Sequence, residues 1–199
     1  MTASPETTDP FEWFGRWFDR ACAEIDANPD AMSLASVAPG GQPSIRQVLL
    51  KDFGPEGFVF YTNYNSRKAR ELDAHPAVAL TWYWRGIERQ IRVEGLAERV
   101  DAATSDAYFA TRSRPSQLGA WASLQSQPLP SPDALAERMA QFEQKFRDQD
   151  VPRPPHWGGY RVVPTRIEFW EGAAHRLHER WIFEREDATS PWEITQIFP

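Results

Sequence analysis

Apolar and polar positions alternate along this chain in two rhythms. Phe11, Phe14, Phe18, Ala21, Cys22 and Ile25 recur at three- and four-residue intervals, the spacing that gathers one helix face. Asp9-Pro10 offers an N-cap followed by proline at the first helical position, and Asn28-Pro29 offers a stop. An amphipathic helix is therefore predicted over 10–27. Cys22 lies on the apolar stripe and is expected to be a buried structural thiol, with no neighbour to lower its pKa. Residues 1–8 are polar and expected to be flexible.

From Ala31 the rhythm becomes that of strands. Segments 31–38 and 43–51 flank Pro39-Gly40-Gly41-Gln42 and read as a hairpin. Phe58 to Thr62 is a short strand after Gly54-Pro55-Glu56-Gly57. Asn63-Tyr64-Asn65-Ser66 then leads into a short helix over 67–74, with Ser66 as its cap. Segments 78–84 and 88–100 are strands joined at Arg85-Gly86. Asp101 caps a helix to about Arg112, and a second short helix covers Ser116 to Trp121. Residues 122–132 hold three Pro and three Ser and read as a loop. Ser131-Pro132-Asp133 opens a helix with Leu135, Met139, Phe142 and Phe146 on one stripe. After a Pro-rich connector at 151–155, strands are predicted at 159–163, 166–171, 176–185 and 192–198. Antiparallel strands at hairpin spacing predict a barrel or sandwich rather than a parallel sheet. The expected architecture is mainly β with flanking helices (α+β), a single domain over 9–199 that closes with a C-terminal strand unit.

Composition narrows the class. The chain has 199 residues, 41% of them apolar and 25% charged, with nine Trp, twelve Phe and five Tyr to build a core, so disorder is a poor reading. No run approaches the ~18 apolar residues of a membrane span. The start, MTASPETTDP, has neither the basic nor the apolar region of a signal peptide. Cys22 is the only cysteine, which excludes a disulfide framework and a Cys-rich zinc site; a cytoplasmic setting is expected. No His/Asp/Glu spacing suggests a metal. Net charge is −6, with 22 basic against 28 acidic residues, which argues against a nucleic-acid partner but leaves small anions open.

Four segments carry candidate chemistry, and each has a plain structural alternative. Arg67 and Lys68 open the 67–74 helix beside Tyr61 and Thr62. Cations there oppose the helix dipole, which suits either a solvated basic helix start or a phosphate cradle of cations, hydroxyls and free N–H groups. In 176–180, period two would place Arg176, His178 and Arg180 on one strand face, either to meet an anion or as an ordinary polar surface, with Trp170 as an aromatic wall nearby. Tyr108 and Arg112, four residues apart, share a helix face, and Ser116 follows; all three can donate to a phosphate or simply face water. Arg46 and Lys51 have opposite parity, so an ideal strand separates them unless a bulge or strand end intervenes. Neither a dinucleotide fingerprint nor a P-loop is present.

Seven segments together resemble the pyridoxamine (pyridoxine) 5′-phosphate oxidase family: RQVLLK (46–51), FYTNYNSRKA (60–69), ERQIRVEG (88–95), SRPSQLGAW (113–121), HWGGYRV (156–162), IEFWEG (167–172) and HRLHER (175–180). The resemblance implies an antiparallel split β-barrel of FMN-binding type and a homodimer whose C-terminal strands, about 157–199, serve dimerisation. It implies oxidation of pyridoxamine 5′-phosphate and pyridoxine 5′-phosphate to pyridoxal 5′-phosphate, with O2 as acceptor. FMN would be held by Arg46, Gln47, Val48, Leu49, Leu50, Lys51, Tyr61, Thr62, Arg67 and Lys68, completed by Gln90, Gln125, Ser126, Trp170 and Arg180. Lys51, Tyr108, Arg112 and Ser116 would hold the substrate phosphate, with Arg176 and His178 over the reacting ring. Family members often carry a longer N-terminal arm that helps cover the active site; only eight polar residues precede the first helix in this sequence, so no lid from such an arm is counted among the expectations. The rival expectations are a split-barrel flavin oxidoreductase with another substrate, or a non-catalytic binder of FMN, haem or pyridoxal phosphate.

Overall fold

The computed structural model describes residues 5–25 and 27–199. Helix α1 (Pro10–Glu24) starts where the Asp9 carboxylate accepts the Phe11 N–H and Pro10 takes the first helical position, satisfying a donor that has no intrahelical partner. It ends before the predicted 27: Ile25 is already extended, and its N–H closes the last turn on the Ala21 carbonyl. The expected continuation includes residue 26, which lies outside the described residues, as do residues 1–4 of the stretch expected to be flexible. The Thr7 hydroxyl donates to the Glu12 carboxylate at 2.6 Å. The buried face of α1 is Phe11, Trp13, Phe14, Trp17 and Ala21. Cys22 is exposed, contrary to the expectation of a buried thiol. The large indoles at 13 and 17 turn the helix so that the 14–18–22 row runs from core to rim.

The strands are β1 (Ala31–Val37), β2 (Pro43–Leu49), β3 (Asp52–Gly54), β4 (Gly57–Asn63), β5 (Ala77–Trp84), β6 (Arg89–Arg99), β7 (Trp157–Glu171), β8 (Glu179–Glu184) and β9 (Glu193–Gln196). They form one sheet in the order β2-β1-β5-β6-β7-β4-β3, with β8 added to β7 and β9 to β8. Each of these pairings is antiparallel. Just past β2, the Lys51 N–H donates to the Val59 carbonyl of β4 at 2.8 Å, so the sheet curls back on itself into a half-barrel. Helix α1 fills its concave side. The Phe14 ring lies 5.0 Å from both Phe58 and Trp82, and Trp13 stacks on Phe169 at 4.5 Å.

Two expectations change in β7. The strands predicted at 159–163 and 166–171 are one strand of 15 residues, irregular where its pairing with β6 shifts register between Glu94 and Gly95. Pro164, which has no N–H to give, falls at that bulge. Gly95 permits the close approach, because a Cβ there would sit 2.2 Å from the Val163 carbonyl oxygen. The early half of β7 lies between β4 and β6, and the later half between β6 and β8. Strand β3 escaped prediction because three residues show no period.

The remaining helices are α2 (Arg67–Ala74), α3 (Ala102–Thr111), α4 (Arg114–Ala122) and α5 (Ala134–Lys145). Ser66 and Asp101 cap α2 and α3 through the N–H groups of Ala69 and Thr104, as their sequence positions predict. Phe109, Leu118, Phe146, Val151 and Trp157 form a second core where α3 to α5 meet the start of β7. Leu135 is exposed, contrary to the predicted stripe, while Ala134 takes the buried place in that turn. The strand expected over 176–185 begins only at Glu179. Ala174–Arg176 is a 3-10 turn in which His175 and Arg176 have φ of 59° and 63°.

Candidate active site

A cavity of about 470 Å³ opens between the β2–β4 side of the sheet and the layer of α3 and α4, a volume usual for small-molecule sites. Among the described residues its lining holds three cations, Lys51, Lys68 and Arg112, and no carboxylate. In a chain of net charge −6, this is a local excess of positive charge.

One end of the cavity is built by the start of α2. The Lys68 ammonium donates to the Thr62 hydroxyl at 3.1 Å and to the Gln125 side-chain oxygen at 2.9 Å. Burial, aided by the nearby Arg46 charge, pulls its pKa down to about 8. The Arg67 N–H donates to the Ser126 hydroxyl at 3.1 Å, which ties the loop after α4 to the helix start. Ser126 adopts φ 70° to do so. The Arg67 Nε pairs with Glu71 at 2.8 Å.

The 46–51 segment separates Arg46 from Lys51, as their opposite parity predicts, but Val48 departs from strict alternation. Gln47, Val48, Leu49 and Lys51 line the cavity, whereas Arg46 and Leu50 do not. Arg46 spends both terminal nitrogens within the chain, on the Leu34 carbonyl, the Ser36 and Ser44 hydroxyls and Glu71. Lys51 pairs with Asp30 at 2.7 Å.

The other end is aromatic and cationic. Tyr61 and Tyr108 stack at 4.0 Å, and Tyr61 and Trp157 at 5.4 Å. Gly159 permits this packing, since a Cβ would come within 2.9 Å of the Tyr61 ring. Burial raises the Tyr61 pKa, and the neighbouring Tyr108 adds to the effect. The Arg112 guanidinium lies 4.6 Å from the centre of the Trp157 ring, and burial lowers its pKa. The Ser116 hydroxyl, 2.9 Å from that of Ser113, completes the wall.

Five of the sequence-predicted residues lie elsewhere in the chain. Gln90, Trp170 and Arg180 are cross-strand neighbours on β6, β7 and β8. The His178 ring sits 4.6 Å from Trp170, and the buried Glu168 carboxylate holds Arg180 at 2.8 Å. The period-two expectation for Arg176, His178 and Arg180 is corrected here: only Arg180 is in a strand, and the 3-10 turn brings His178 to Trp170. The Ala173 N–H donates to His178 Nδ1 at 3.1 Å, which assigns the proton of a neutral ring to Nε2. None of these five lines the cavity, and Arg67 and Ser126 stand beside it rather than in its lining.

Residues 18–146 match the family model described as pyridoxamine 5′-phosphate oxidase. The chain belongs to the pyridoxamine 5′-phosphate oxidase family. Residues 157–199 match the family's C-terminal dimerisation region, described for pyridoxine 5′-phosphate oxidase. A pyridoxine/pyridoxamine 5′-phosphate oxidase of Rubrobacter xylanophilus is 57% identical over 178 residues, covering 89% of this chain and 82% of that protein. The structure of PhzG from Burkholderia lata, in complex with tetrahydrophenazine-1-carboxylic acid, is similar with a TM-score of 0.91 at 31% identity, covering 98% of this chain and 94% of that one. A pyridoxamine 5′-phosphate oxidase-related, FMN binding protein from Nostoc punctiforme shares the fold with a TM-score of 0.77 at 17% identity, covering 97% and 100% of the two chains. Membership of this oxidase family makes the chain an oxidoreductase and its half-barrel a split barrel.

Sequence reasoning passed over several residues that shape the site. Asn63, Ser123 and Trp157 line the cavity, and Glu71 and Asp30 hold its cations. Trp157 stands in the HWGGY segment, where the adjacent glycines were the available signal of close packing.

Proposed function

We propose that this family member oxidises pyridoxamine 5′-phosphate and pyridoxine 5′-phosphate to pyridoxal 5′-phosphate in vitamin B6 metabolism, with FMN as cofactor and O2 as electron acceptor. The observation that carries this reading is the presence of two groups of anion donors at one cavity whose described lining holds no carboxylate, one at Lys68 with Arg67 beside it at the start of α2, the other at Tyr108, Arg112 and Ser116. A flavin phosphate and a substrate phosphate would need two such groups; a flavin carrier would need only the first. Among the described residues Lys68 is half-buried with only neutral partners and an Arg112 nitrogen is buried without any, which fits ligands that bring negative charge.

In this reading Arg67, Lys68, Thr62, Gln125 and Ser126 hold the FMN phosphate, while Tyr61 and the backbone and side chains of Gln47 to Lys51 line the rest of the flavin site. Arg46 offers no free guanidinium fork and acts behind the site, through its pairing with Glu71. Trp170 and Arg180 of the dimerisation region, with Gln90 paired beside Trp170, would complete the flavin site from the second subunit of a homodimer. Lys51, Tyr108, Arg112 and Ser116 take the substrate phosphate. Arg176 and His178 cover the substrate ring. The left-handed His175 and Arg176 cost on the order of 1–3 kcal/mol each, strain that accumulates at functional turns.

Bound FMN supplies the two-electron acceptor and returns the electrons to oxygen. The substrate C4′ loses two electrons while O2 gains them to become H2O2; with the amine, water releases ammonia and leaves the aldehyde. The chain holds the phosphate and orients C4′. His178, with Nδ1 already accepting from the backbone, presents Nε2–H as a donor to the substrate, so the amine or alcohol proton leaves through water. Aerobic incubation of the purified protein with each substrate tests the reading: pyridoxal 5′-phosphate and H2O2 should form together, and denaturation should release FMN. FAD as the only flavin, or oxidation of reduced tricyclic acids with none of either phosphate ester, would overturn it.

A further inference from the structure

Glu71 lies in the middle of α2 and is only 3% exposed. A buried carboxylate is costly unless donors surround it, and Glu71 has them from three elements. Ser36 of β1 and Ser44 of β2 donate to Oε2, at 2.5 and 2.6 Å. Arg46 of β2 also reaches Oε2, at 2.9 Å, while Arg67, one turn earlier on α2, reaches Oε1 at 2.8 Å. The two arginines are used differently. Arg46 has its terminal nitrogens engaged within the chain. Arg67 gives Glu71 only its Nε, and its side chain is 57% exposed, so among the described residues its terminal nitrogens carry no partner. Charge divides in the same way. Arg46 neutralises Glu71, which leaves Arg67 and Lys68 as two uncompensated cations, the number that matches a phosphate dianion.

We propose that Glu71 is a positioning residue of the phosphate cradle: without touching the ligand, it grips Arg67 from the side so that the guanidinium fork faces the phosphate, while Arg46 cancels the carboxylate's own charge. The proposal rests on the reading of Arg67 and Lys68 as the FMN phosphate site and names the group that shapes it. It opposes a simple Coulomb expectation, in which removing a nearby negative charge would tighten phosphate binding.

The test compares FMN with riboflavin, which lacks the phosphate, by fluorescence titration of the full chain stripped of flavin. In Glu71→Gln, FMN affinity should fall roughly tenfold, the scale of one misaligned charge-assisted bond, with riboflavin affinity unchanged. In an Arg67→Ala background the same substitution should have no further effect on FMN. Tighter or unchanged FMN binding would overturn the proposal, and an equal loss for both flavins would reduce Glu71 to a structural tie between the hairpin and α2. Arg67→Lys, at an exposed position, supplies a second test should Glu71→Gln not fold. A lysine keeps the charge but has no fork, so it should also lose FMN selectivity; wild-type selectivity there would overturn the proposal. A wild-type chain that binds riboflavin as tightly as FMN would overturn the phosphate reading itself, and this inference with it.

Discussion

The guanidinium of Arg112 lies 4.6 Å from the centre of the Trp157 ring, and its Nη1 is buried with no hydrogen-bond partner among the described residues. The ring face holds the cation electrostatically and leaves that nitrogen free to donate. Arg112→Ala is expected to raise KM for both phosphate esters about ten- to a hundredfold, the equivalent of about 1.5–3 kcal/mol for a charge-assisted bond. Trp157→Phe, which keeps a ring with a weaker quadrupole, should raise it only a few-fold. Steady-state kinetics at saturating FMN check both. An unchanged KM in Arg112→Ala would move the substrate phosphate elsewhere.

Arg67→Ala and Arg176→Ala remove one cation each but should fail differently. Loss of the Arg67 fork should weaken FMN about ten- to a hundredfold, with activity returning when FMN is added in excess. Arg176→Ala should remain yellow and lose kcat/KM that added FMN does not restore. Separate measurement of bound flavin and turnover distinguishes them. Wild-type turnover in Arg176→Ala would return that turn to an ordinary polar surface.

If Lys68 meets the FMN phosphate, flavin binding should depend on pH. Its pKa, about 8 through burial and the Arg46 charge, lies well below the usual lysine value. Below pH 8 the ammonium is already formed and phosphate binding takes up no proton. Above pH 8 binding must recharge it, so FMN affinity should fall as pH rises, by up to about tenfold per unit. Riboflavin affinity should stay flat from pH 7 to 9.5, and Lys68→Met should remove the step for FMN. Parallel profiles for the two flavins would argue that Lys68 does not meet the phosphate.

Glu71 behaves in the opposite sense. Its burial alone would raise the pKa, but hydrogen bonds from Ser36, Ser44, Arg67 and Arg46 outweigh that and lower it to about 2. The stabilisation is complete above the unfolded carboxylate pKa, about 4.3, and is lost as pH falls towards 2. In Glu71→Gln, acid unfolding followed by circular dichroism should lack this component. An identical acid profile in the variant would show that the carboxylate's partners add nothing to stability.

If Gln90, Trp170 and Arg180 complete the site of the other subunit, two inactive variants should complement. Co-expressed Arg112→Ala and Arg180→Ala chains form mixed dimers in which one of the two sites is intact. Random pairing of the chains of a twofold dimer should then restore about a quarter of wild-type activity, although each variant alone is weak. Light scattering should show a dimer. No recovery in a verified mixed dimer would place both clusters on one subunit's site.

The sequence determined by itself what depends on near neighbours. Ser66 and Asp101 announce helix starts because a cap needs only the next three residues. The β1–β2 hairpin is legible in its turn residues and flanking strands, the family segments contain Lys51 and Lys68, and a four-residue spacing sets Tyr108 and Arg112 on one helix face. Tertiary structure decided what depends on distant partners. Glu71 draws donors from Ser36 and Ser44, 35 and 27 residues away, and no local pattern marks a glutamate for burial. Trp157 becomes the platform for Arg112 only when β7 passes behind α3. The helical stripe places Cys22 at a core that Trp13 and Trp17 claim, and ideal period two fails at Arg176 because left-handed residues turn the chain before β8. Strand parity separated Arg46 from Gln47 and Leu49 but did not account for Val48 in the lining, and only the curl of the sheet brought Lys51 and Lys68 to one cavity while leaving Trp170 and Arg180 on another face. Local hydrogen bonding and periodicity are written along the chain; convergence of charges on a ligand is set by which segments the folded sheet brings together.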